Sequence, residues 1–169
     1  GIKAQRQWLT GIYNKIFFND IVVRNGIRSE EALRMAVKRL AACVMQPTSF
    51  NRLANLIKST GISINASTVS NFIQYLHDSC LVFSIENHAD KFVDRQTTKK
   101  HYFIDNGILN LFLMDSENLL LENICAVFLH KKSPAAFQKS PGDLFYNYSS
   151  ISGITVYSSL IVERTNCVF

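Results

Sequence analysis

Apolar residues recur at helical spacing in several stretches of the chain, separated by short polar breaks. From residue 7 to 24, Ile12, Ile16, Phe17 and Ile21 fall on one face, with Trp8 beside them, which predicts an amphipathic helix. Asn25-Gly26 should end it, since both residues tolerate the left-handed cap. Ser29 predicts a second helix, with Glu30 and Glu31 at the positive end of its dipole and Leu33, Val37, Leu40, Ala41 and Val44 as its inner stripe. Gln46-Pro47-Thr48 breaks it. Ser49 caps a third helix (Phe50 to Ser59) that buries Leu53, Ala54 and Ile57. After Gly61, Asn65 or Ser67 caps a fourth (Ala66 to His77), with Val69, Phe72, Ile73 and Leu76 at i, i+3, i+4 and i+7.

The period then changes. Leu81 to Ile85 and Lys100 to Ile104 read as strands around a polar loop of mixed charge, with Cys80 opening the first. Beyond Asp105 come a short apolar helix (Gly107 to Met114) and a stronger one (Asn118 to His130) carrying Leu120, Leu121, Ile124, Val127 and Phe128. Leu144 to Tyr148 and Ile154 to Tyr157 read as a hairpin, and the aromatic residues there as its packing. The expected fold is α+β, in three parts: a first helical segment over 1–28, a second unit over 29–105 and a small lobe over 106–169.

Helix, tight link, helix, strand, loop, strand is the order of a winged helix-turn-helix. Such a unit holds its second helix outward, so that the polar face can enter the major groove of DNA. Here that face would offer Ser67, Ser70, Asn71 and Gln74. Asn and Gln pair with adenine edges, and Ser reaches bases or phosphates. The wing would set Lys91, Arg95, Lys99 and Lys100 against phosphates. Against this, no Lys or Arg stands between Ala66 and His77, and the wing also carries Asp90 and Asp94. A protein-docking or self-associating module therefore stays open beside the double-stranded DNA reading.

Charge changes the picture only mildly. The net charge of the 169 residues is +5. Residues 24–100 carry eleven Lys/Arg against six acids, while residues 101–169 carry four against six. The excess thus lies on the helical and winged part, in keeping with a polyanion partner. No apolar run is long enough to span a bilayer and no signal peptide is visible, so a cytoplasmic protein is expected, with Cys43, Cys80, Cys125 and Cys167 as plain thiols. The cysteine spacing fits no metal site, and His77, His88, His101 and His130 have no ligand partner at close spacing. No cofactor is expected.

Four segments carry a family resemblance: Phe17 to Arg28, Thr48 to Asn55, Thr68 to Phe72 and Tyr102 to Gly107. Together and in this order they resemble the C-terminal region of prokaryotic AAA-superclass ATPases. In that group an ATPase core is followed by a winged helix and a restriction-endonuclease-like domain. The resemblance covers residues 8 to 132. It implies that residues 1–28 correspond to the end of the ATPase lid and that the nucleotide-binding loop lies upstream, so the chain is expected to be a fragment that does not hydrolyse ATP alone. It also implies a nuclease-like lobe, truncated here. Leu121-Glu122-Asn123 matches the family's Leu-Glu-Asn, which makes Glu122 a weak metal candidate. Gly153-Ile154-Thr155-Val156-Tyr157-Ser158 has Thr155 and Tyr157 where the family has acids, and Glu163 stands at no supporting spacing. A hydrolase needs clustered carboxylates to hold Mg²⁺, so no catalysis is expected.

Overall fold

The computed structural model describes residues 1–44, 46–87, 98–113, 117–136 and 160–162. The fold is α+β: helices packed on both faces of a small antiparallel sheet.

Helix α1 runs Ile2–Lys15, earlier than the residue 7 start that periodicity predicts, and it continues without a break into a π-helical segment, Ile16–Val23. That run is mostly β-branched or aromatic, poor material for α-helix. The wider winding turns Phe17, Ile21 and Val22 inward. Trp8, expected on the inner face, points outward at 68% exposure. The Arg34 guanidinium lies 4.2 Å from the Phe17 ring centroid and 5.0 Å from that of Phe18. Gly26 closes the segment at φ +59. Its N–H donates to the Val23 carbonyl and that of Ile27 to Val22, a left-handed cap with both bonds formed.

Three helices follow the sequence pattern closely. In α2 (Glu30–Ala42), Ser29 Oγ accepts from the Ala32 N–H at 3.4 Å. In α3 (Phe50–Lys58), Ser49 Oγ accepts from Arg52 N–H at 3.2 Å. In α4 (Ala66–Asp78), Asn65 Oδ1 accepts from Thr68 N–H at 2.8 Å. The predicted stripes of all three are buried. The four stripe residues of α4 are each worth at most ~1.5–3 kcal/mol of burial. Gly61, at φ +89, makes the turn between α3 and α4, where a side chain would be strained.

Cys80 does not open a strand. It caps α4 in the left-handed region at φ 54, with its N–H on the His77 carbonyl and the Leu81 N–H on Leu76. Cys43 and Cys125 are free thiols, whereas Cys80 is disulfide-bonded, which the plain-thiol expectation missed.

The strands are β1 (Thr48–Ser49), β2 (Val82–Asn87), β3 (Thr98–Phe103) and β4 (Leu160–Val162), in the order β1-β3-β2-β4. Both long strands are displaced by a residue or two from the predicted ranges. Phe83 pairs with Tyr102, Ser84 with His101 and Ile85 with Lys100. Thr48 pairs with Lys99, and Ile85 with Val162. The two-residue β1 and the short β4 carry too little pattern to be predicted. The hairpin expected over 144–157 lies outside the described residues.

Asp105 caps α5 (Asn106–Asn110) and α6 spans Glu117–Ala136. Against β3, α6 turns Asn123 and Ala126. One apolar cluster runs from Tyr13 to Ala126 and joins α1, the π segment, α2 to α4, the sheet, α5 and the inner side of α6. The apolar residues of α6, however, divide. Leu120 and Val127 pack on that cluster, while Leu121, Ile124 and Phe128 face outward. Among the described residues no helix is long and apolar enough to cross a membrane.

Candidate functional site

The face of α4 opposite its buried stripe carries the polar residues singled out from the sequence. Ser67, Asn71 and Gln74 are exposed and Ser70 is half-buried. Two of them are already engaged within the helix. Ser67 Oγ donates to Asn65 Oδ1 at 2.8 Å, which ties it to the cap. Gln74 Nε2 donates to Asp78 Oδ1 at 2.8 Å. Each keeps acceptor capacity toward a ligand.

The two described wing lysines part company. They are adjacent on β3, so their side chains leave opposite faces of the sheet. Lys100 Nζ sits 3.0 Å from Glu122 Oε1 on α6, a half-buried ion pair, rather than standing out toward a phosphate. Lys99 is on the α4 face, where its charge acts on both His77 and His101. Lys91 and Arg95 lie outside the described residues.

A cation not assigned from the sequence joins this side. Arg52, exposed near the start of α3, donates through Nη2 to Gln46 Oε1 at 2.6 Å and through Nη1 to the Pro47 carbonyl at 3.4 Å. These bonds hold its guanidinium against the loop before Thr48, and Thr48 is the cross-strand partner of Lys99. Its position three residues after the Ser49 cap, at the start of the first helix of the pair, was the available signal.

Under α4, three residues distant in sequence meet. Ser84 Oγ lies 2.8 Å from His77 Nε2 and 2.7 Å from His101 Nδ1. A hydroxyl has one proton, so it donates to one imidazole and accepts from the other. Burial lowers the His77 pKa to about 4, helped by Lys99 and opposed by Asp78. Burial, then His77 and Lys99, lowers that of His101 to about 3. Both rings are neutral at pH 7. Ser84 and His101 are buried, so this cluster braces α4 on the sheet and offers no accessible nucleophile.

The α6 face has different chemistry. Glu122 Oε1 accepts from both Lys100 and the Tyr102 hydroxyl, the latter at 2.8 Å. Burial and the bond to Glu122 push the Tyr102 pKa up. Glu122, the metal candidate, thus has one oxygen committed to an ammonium and a phenol, and that ammonium repels a cation. Among the described residues no group of three or more His, Cys, Asp or Glu is placed to hold a metal ion. Glu163, Thr155 and Tyr157 lie outside the described residues. Beside Glu122, Asn123 is fully buried. Its Oδ1 accepts from the Phe103 N–H at 2.8 Å, and its Nδ2 donates to the Phe103 carbonyl at 2.9 Å and to Asn106 Oδ1 at 3.0 Å. The Leu-Glu-Asn signature therefore fastens α6 to the end of β3 in this chain.

A family model described as a domain of unknown function, DUF8612, matches residues 2–119. Uncharacterized protein MJ1544 of Methanocaldococcus jannaschii is 28% identical over 129 residues, 75% of this chain and 28% of that protein. An uncharacterized protein of Haemophilus influenzae is 25% identical over 101 residues, 59% of this chain and 25% of that protein. The chain thus spans about a quarter of the length of these relatives. No solved structure matches it.

Proposed function

The chain belongs to the DUF8612 family, and we propose that this member is a winged helix-turn-helix module that binds double-stranded DNA without catalysing a reaction. The observation that carries the reading is the outward stripe of α4, Ser67, Asn71 and Gln74, backed by a fully apolar inner stripe. Asn71 reads an adenine edge, and Ser67 and Gln74 accept or donate beside it. Arg52 and Lys99, on either side of β1, supply phosphate contacts. Two cations among the described residues take part, so binding falls as salt rises.

The module belongs, on this reading, to a longer protein of the AAA-type ATPase group. The sequence segments resembling that group support it, as does the 28% share of the first relative that the chain covers. A residual metal-dependent nuclease is not part of the reading, because Glu122 is held by Lys100 and Tyr102. Docking to a protein is the second reading. The absence of Lys and Arg on α4 and the Gln74–Asp78 bond favour it.

Fluorescence anisotropy with a labelled random duplex at low and then moderate salt decides between the two. The DNA reading expects binding at low salt, with a loss of roughly fivefold to tenfold for Asn71→Ala on adenine-containing sites. No binding at low salt would sink it and leave the protein-docking reading.

A further inference from the structure

We propose that Ser67, Asn71 and Gln74 read a run of three amino bases, adenine or cytosine, on one DNA strand with adenine at the centre, and that Asp78 sets this preference by fixing the polarity of Gln74. The inference rests on the DNA reading and deepens it.

The hydrogen bonds along α4 decide what each side chain can still offer. Asn65 accepts from the Thr68 N–H at 2.8 Å, so the amide atom facing that N–H is the oxygen and not the nitrogen. The same oxygen lies 2.8 Å from Ser67 Oγ and can only accept, so the Ser67 hydroxyl donates to it. A hydroxyl has one proton, and Ser67 therefore meets a ligand as an acceptor alone. Gln74 is fixed in the same way. A carboxylate accepts only, so the Gln74 amide turns Nε2 to Asp78 Oδ1, at 2.8 Å, and Oε1 away from it. Asn71 stands exposed between the two and matches an adenine edge with both halves of its amide.

In the major groove, adenine N6 and cytosine N4 supply donors, whereas guanine and thymine present acceptors and the thymine methyl. Acceptors at both ends of the stripe thus match amino bases and set oxygen against oxygen at guanine or thymine. An unrestrained glutamine would swing its amide round and donate to guanine. Here that swing breaks the bond to Asp78 and sets Oε1 against the carboxylate. Asp78 acts through Gln74 and is a positioning residue. From Ser67 to Gln74 the stripe rises about 10 Å, roughly three base-pair steps. Every base pair carries one amino and one keto base, so the stripe reads the pattern along one strand rather than composition.

Anisotropy at low salt with two labelled duplexes of equal length and equal base composition tests this. One repeats AC against GT and holds only amino bases on one strand. The other repeats AG against CT and alternates amino with keto bases on both. The parent chain should bind the first roughly tenfold tighter. Asp78→Asn, at an exposed position, should cut that ratio to about threefold or less, because an amide pairs with Gln74 either way round. The lost charge raises affinity for both duplexes alike, and DNA shape is untouched, so the ratio is the readout. Gln74→Ala should cut it at least as far, and adding Asp78→Asn to Gln74→Ala should change it no further. Equal binding of both duplexes, a preference for the second, or a ratio that survives Asp78→Asn would overturn the inference and leave the DNA reading standing. No binding of either duplex at low salt would overturn both.

Discussion

On the α4 face of the β2–β3 hairpin, Ser84 and two neutral histidines fill a site enclosed by apolar helices. On the α6 face, a half-buried ion pair, a phenol and one asparagine hold a single helix whose outer side is still apolar. The first face is finished inward and presents polar groups outward along α4. The second is fastened by a few strong bonds and presents apolar groups outward. The difference teaches that adjacent residues of one strand can serve unrelated ends: Lys99 and Lys100 differ by one step in the pleat, and only Lys100 is paired with Glu122.

The α6 face should break hardest at one residue. Asn123→Leu removes the partners of the Phe103 N–H and carbonyl in a fully buried place. It should cost about 3 kcal/mol or more in urea unfolding, because two backbone groups are left unsatisfied.

The α4 face should answer to pH instead. His77 and His101 are neutral when folded and take up protons when unfolded, at an ordinary pKa of 6.5. The unfolded state then binds more protons, so stability is fully present above pH 6.5 and is lost as pH falls. The slope reaches up to ~1.4 kcal/mol per unit for each ring. It ends near pH 4 for His77 and pH 3 for His101. Ser84→Ala should lower stability by about 1–3 kcal/mol at pH 7, since both ring nitrogens lose their partner. Urea midpoints between pH 7 and 5 check both statements, and a flat profile would contradict the buried neutral pair.

A smaller effect tests how α1 meets α5. A Cβ on Gly107 would lie 3.0 Å from Asp105 Oδ1 and 3.0 Å from Leu9 Cδ1. Gly107→Ala should therefore cost about 1–2 kcal/mol, and trimming the contact with Leu9→Ala in the same chain should recover part of it.

Much of the α4 side was legible in the sequence, because local rules write it. Ser29 and Ser49 cap the helices they were expected to cap, Asn65 rather than Ser67 caps α4, and the stripe Val69, Phe72, Ile73, Leu76 is buried as its spacing requires. The α6 side was less legible. Leu121, Ile124 and Phe128 look the same in sequence as Leu120 and Val127, and only the position of β3 separates them. Glu122 was recognised by its signature, but its bond to Lys100 crosses 22 residues and leaves no period to read. The same holds for Ser84 with His77 and His101. The π winding of Ile16–Val23 sets Phe17 beneath Arg34, a contact that no local period announces.

The proposal is that the α4 side of the hairpin meets a polyanion, while Lys100 on the α6 side holds the fold through Glu122. Anisotropy titrations of a labelled duplex with Lys99→Gln and Lys100→Gln, each beside the parent chain, test it most directly. Lys99→Gln should weaken binding several-fold and lower the salt slope by about one, whereas Lys100→Gln should leave binding nearly unchanged and lower stability instead. Equal losses from the two variants, or no binding by the parent at low salt, would contradict it.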